Sequence, residues 1–198
     1  MELIDVTGRL QHRLRTVDAK NSWWKYALPR FDSDRYEVIM DNDVILWKEP
    51  QALLEAIRTN ALLALTDAAG RFYGDFDEEV GNLDPDLKLN AGLIGMPTGF
   101  SPDFGLLRRV VMKDFFHSEQ GFTALGFALQ EGPKHLVPLS EVQQINVNRV
   151  PPEELVSGYS GGHFCGCSYG HYSFWEEEYA PVVESKYSEV SSDEDSDV

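Results

Sequence analysis

Residues 36–67, YEVIMDNDVILWKEPQALLEAIRTNALLALTD, decide the fold class. Two short runs rich in β-branched and aromatic side chains, 36–40 and 44–47, flank the turn-forming cluster Asp41, Asn42 and Asp43, which predicts a hairpin. Pro50 suits a first helical turn, and Ala52, Leu53, Ala56 and Ile57 recur at helical spacing up to Asn60, a fitting end cap. A helix is therefore expected over 50–60. ALLALTD at 61–67 is extended and apolar again, and with the turn at Gly70 and RFYGDF at 71–76 it predicts a second hairpin. Hairpins interleaved with helices, and no evident parallel strand–helix–strand order, point to an α+β fold built mainly of antiparallel hairpins.

Working outward, residues 77–103 are rich in Gly, Pro, Asn and Asp and read as one long irregular connection. Ser101, Pro102 and Asp103 make a helix start, followed by an apolar face of Leu106, Leu107, Val110, Val111 and Phe115. FTALGFALQ at 122–130 and HLVPL at 135–139 read as a third strand pair about Glu131 and Gly132. Residues 140–150 alternate like a strand but open like a helix, and a helical turn is expected after Pro151 and Pro152. At the start of the chain, Leu3, Ile4, Val6, Leu10 and Leu14 fit a short amphipathic helix. The expected organisation is one α+β domain over 1–183 and a disordered acidic tail over 184–198, where KYSEVSSDEDSDV has little to bury.

Charge is the strongest compositional signal. The chain of 198 residues has a net charge of −16, with 42% hydrophobic residues to form a core. Residues 31–100 hold fourteen acids against five bases, and residues 176–198 nine acids against one Lys. Direct nucleic-acid binding is disfavoured, because neutralising phosphates takes clustered Lys and Arg. An acidic surface instead suits a basic protein partner, with Asp75, Asp77, Glu78 and Glu79 in the body and Asp193, Glu194 and Asp195 in the tail as the expected contacts. Ser191 and Ser192, each followed by an acid three residues on, resemble acidophilic kinase sites. The N-terminal residues lack a signal-peptide pattern and no apolar run approaches a membrane span, so a soluble intracellular protein of the cytoplasm or nucleus is expected, without membrane contact.

Chemistry-bearing residues concentrate at 158–175, GYSGGHFCGCSYGHYSFW. His163, Cys165 and Cys167 alternate, so in a strand they would share a face, and His171 could return as a fourth zinc ligand. The one-residue Cys spacing departs from common zinc modules, which use two to four. Ser160 sits in a G-x-S-x-G pattern, yet little chain follows it and the sequence after it is a poor helix former, so the strand–turn–helix context of a nucleophile is missing. A thiol nucleophile at Cys165 or Cys167, activated by His163 or His171, would need a cation or helix N-terminus to lower its pKa, and the neighbouring Glu176, Glu177 and Glu178 oppose that. The leading expectation is a non-enzymatic acidic interaction protein, regulatory or inhibitor-like. A zinc protein at 163–171 and a small serine or cysteine hydrolase are the alternatives.

Overall fold

The computed structural model describes residues 32–101, 118–165 and 175–186. The strands of 36–47 form where expected, as β1 (Glu37–Met40) and β2 (Val44–Leu46), but they do not pair with each other. β1 joins a four-stranded sheet and β2 a three-stranded one. The Asp41–Asn42–Asp43 turn, closed by the Val44 amide donating to the Asp41 carbonyl at 3.1 Å, therefore carries the chain from one sheet to the other.

Helix α1 (Gln51–Thr59) matches its expected span. Pro50 caps it without a side-chain bond, and Asn60 ends it in the left-handed region at φ 51°, its amide donating to the Ala56 and Ile57 carbonyls. The start is completed from elsewhere: Glu141 Oε2 accepts from the Ala52 amide at 3.0 Å, a carboxylate at the positive end of the helix dipole.

β3 (Leu62–Thr66) follows, and here the expected second hairpin is overturned. Residues 71–76 are no strand; they lead through a 3-10 turn (Gly74–Phe76) into α2 (Asp77–Leu83). The stretch read as an irregular connection instead supplies α2 and β4 (Leu89–Met96), which is buried at all eight positions and lies between β1 and β3. The third strand pair is also corrected. FTALGFAL belongs to α3 (Ser118–Leu129), and β5 (Lys134–Val137) pairs with β3 in parallel. The helix expected after Ser101 lies outside the described residues, as do the one expected near the N-terminus and the tail from 187.

The second sheet has the order β2-β7-β6, with β6 (Val142–Gln144) parallel to β7 (Gly161–His163) across α4 (Pro152–Gly158) and β2 antiparallel to β7. A helical stretch from Trp175 packs Tyr179 and Val183 on this sheet, with Phe164 set edge-on to both Trp175 and Tyr179. The fold is α+β, but both sheets are mixed.

Alternation on β3 distributes the core. Leu62 and Ala64 face α2 and α3 with Tyr73, Phe76, Val80, Phe122 and Leu125, while Leu63 and Leu65 face α1 with Ala56 and Val137. The β3–β4 register breaks between Ala64 and Leu65: Ala64 lies opposite Ile94 but Leu65 opposite Asn90. Residues 91–93 are thus extra on β4, a bulge that inverts the strand's facing and re-aims its side chains.

Candidate functional site

Three strands converge at that bulge. The Asp41 amide donates to the Gly92 carbonyl at 2.7 Å, holding the inter-sheet turn against β4. On the other side the Phe164 amide donates to the Asp43 carbonyl at 2.8 Å, and Val44 lies opposite His163 in the β2–β7 register. These backbone contacts leave Asp41, Asp43 and His163 with ligand atoms within 4.8 Å of one another. His163 Nε2 stands 3.4 Å from Asp43 Oδ1, and the His163 side chain is 5% exposed. Gly92 is required here, because a methyl group on it would fall 2.6 Å from His163 Cε1 and 2.9 Å from Nε2. Asp41 and Asp43 are each half-buried, but the Asp43 Oδ1 that faces His163 is closed off from solvent.

A buried polar network borders it. Asp67, 4% exposed, accepts from Gln120 Nε2 at 2.8 Å and from Asn90 Nδ2 at 3.4 Å, while Asn90 Oδ1 accepts from the Gly92 amide at 2.8 Å. Gln144 Oε1 accepts from the Ala68 amide, and its Nε2 donates to Cys165 Sγ at 3.1 Å. The Cys165 thiol in turn donates to Asn146 Oδ1 at 2.9 Å. Burial pushes that thiol up to about 11, the Gln144 contact pulling it down and Asp43 and Asp67 pushing it further up.

Of the four residues expected to share a metal, His163 keeps company with Asp41 and Asp43, whereas Cys165 is bonded to two side-chain amides. β7 ends at His163, so the strand face that was to align His163 with Cys165 stops short of the cysteine. Cys167 and His171 lie outside the described residues. Ser160 follows α4 and precedes β7, the reverse of the strand–turn–helix order that exposes a nucleophile; its carbonyl accepts from the Trp47 and Lys48 amides. The sequence signal for the Asp41 and Asp43 carboxylates was the same Asx cluster that marks the turn.

The expected partner contacts form a second place. Asp77, Glu78 and Glu79 occupy the first turn of α2 and are exposed, and Asp84 and Asp86 follow with no Lys or Arg anywhere in 77–86. Arg71 ties this region together, its guanidinium donating to the Asp77 carbonyl at 2.9 Å and to the Pro85 carbonyl at 3.1 Å. Phe72 and Leu83 stand 46% and 51% exposed beside the acids. Asp75 lies in the 3-10 turn, and Asp193, Glu194 and Asp195 lie outside the described residues. No helix among the described residues is long and apolar enough to cross a membrane. Comparison with protein-family models, curated proteins and solved structures gives no match for the chain.

Proposed function

We propose that the protein is a non-enzymatic binding module that receives a basic protein partner on the α2 surface. The observation that carries this reading is the exposed, base-free acidic run of α2 and its following turn, set beside exposed Phe72 and Leu83. Interfaces combine an apolar centre with a polar rim, and a rim of one charge sign steers a partner of the other. The first-turn carboxylates also favour α2 itself through the helix dipole, so their local role and a recognition role are compatible. Arg71 bonds main-chain carbonyls there, and its single positive charge stands against the five acids of 77–86.

The test uses a defined Lys- and Arg-rich peptide, with affinity measured by fluorescence anisotropy at low and high salt. Neutralising the turn (Asp77→Asn, Glu78→Gln, Glu79→Gln) is expected to weaken binding several-fold at low salt and to flatten its salt dependence. Neutralising the exposed pair on α4 (Glu153→Gln, Glu154→Gln) is expected to do neither. Equal loss from both variants would assign the effect to net charge, and salt-independent binding would remove electrostatic recognition altogether.

A further inference from the structure

We propose that Asp41, Asp43 and His163 form a binding site for a divalent first-row cation, of which Zn²⁺ is the best match. The donor set is one imidazole nitrogen at the end of β7 and two carboxylates of the β1–β2 turn, which is held by its backbone bonds to Gly92 and Phe164. An all-oxygen cage would suit Ca²⁺, and an imidazole nitrogen moves the preference to zinc and its neighbours.

The carboxylates alone would say little, since acids cluster at many surfaces. The second observation is His163. Its side chain is 5% exposed, and its Nε2 stands 3.4 Å from Asp43 Oδ1, a carboxylate oxygen that is itself shut off from solvent. The imidazole Nε2 that faces Asp43 is the ring atom a cation would take, and the cation would replace a 3.4 Å contact that is long for a hydrogen bond. Gly92 makes the space for that ring on the bulge of β4. Bulges recur beside functional sites because they re-aim side chains at the cost of ladder hydrogen bonds.

Three protein ligands are one fewer than the four of a closed structural zinc site, and three is the number found in zinc sites that also hold water or a small anion. The site bridges the two sheets, with the Asp41–Asp43 turn between them, β4 in the first and His163 in the second. Bound cation would therefore add to the stability of the folded state, because the unfolded chain does not hold these ligands together.

The experiment is a Zn²⁺ titration of the full chain against a chromophoric chelator, with folding of each variant checked by thermal melting and the Co²⁺ form recorded by absorption. The expected result is one saturable site, weakened at least tenfold by Asp43→Asn and by His163→Gln and unchanged by Cys165→Ser. The Co²⁺ form should lack a thiolate charge-transfer band, and Zn²⁺ should raise the melting temperature of the native chain but not of Asp43→Asn. Should His163→Gln fail to fold, Asp41→Asn and Asp43→Asn decide in its place. The proposal is overturned if the folded chain binds no stoichiometric Zn²⁺, if binding survives the Asp variants, or if Cys165→Ser abolishes it and the Co²⁺ spectrum reports sulfur.

Discussion

Cys165 is a residue whose surroundings decide its chemistry. A reactive thiolate is stabilised by a cation or a helix N-terminus, and among the described residues Cys165 is bonded to neither; it receives an amide from Gln144 and gives its proton to Asn146. Burial is the first cause of its elevation to about 11, with Asp43 and Asp67 adding to it. The folded state therefore favours the neutral thiol. That preference contributes stability below the ordinary thiol range and loses it as pH rises through about 11. In a Cys167→Ser background, iodoacetamide at pH 8 should label native protein at least tenfold more slowly than urea-unfolded protein, with the native rate climbing steeply toward pH 11. Fast labelling of native protein at pH 8 would instead reveal an activated nucleophile and revive thiol catalysis. Tyr36 behaves alike: burial lifts its hydroxyl to about 12 while it donates to the Ala61 carbonyl at 2.8 Å, so alkali should loosen this corner of the first sheet as well.

Among the elements, α1 was legible and β4 was not, and the reason is locality. Pro50, the apolar spacing and Asn60 are all neighbours in sequence, and each does in the fold what it promises on paper. LNAGLIGM contains an Asn and two Gly that argue against a strand, and their reasons lie far along the chain. Gly92 admits the His163 ring, and a methyl on Gly95 would come within 2.7 Å of Leu63 Cβ. α3 was misread because FTALGFAL is nearly all apolar, which erases the period that separates helix from strand. The candidate site divides the same way. The Asx turn and His163 were each visible, but their meeting depends on the β2–β7 register, a pairing between residues more than a hundred positions apart that nothing local announces. Two substitutions test this view of glycine. Gly92→Ala should cost about 1–3 kcal/mol through overpacking, a fall in melting temperature of several degrees. Gly126→Ala in α3, where a methyl meets nothing within 4 Å, should stabilise by about 0.5–1 kcal/mol. Differential scanning calorimetry measures both, and equal shifts of one sign would show that the bulge tolerates a side chain.

On the scale of the whole molecule, a net charge of −16 sets two salt responses of opposite sign. Like charges repel within the compact chain, so screening them favours the folded state, whereas attraction between the α2 surface and a basic partner is weakened by the same screening. The exposed pairs between Arg35 and Asp32 and between Arg149 and Glu178 pull the other way, because salt weakens them. Exposed pairs contribute at most about 1 kcal/mol each, and fewer than one base is present for every two acids in 31–100, so repulsion should win. Thermal melting of the full chain in rising NaCl should therefore show an increase of a few degrees, reached within the range where the Debye length falls below about 10 Å. Monovalent chloride is the right salt for this measurement, because a divalent cation would also occupy the Asp41–Asp43–His163 cluster and stabilise by binding. A melting temperature that falls as NaCl rises would mean that specific ion pairs outweigh the net charge. The negative potential would then already be neutralised within the molecule and could not serve to recruit a basic partner.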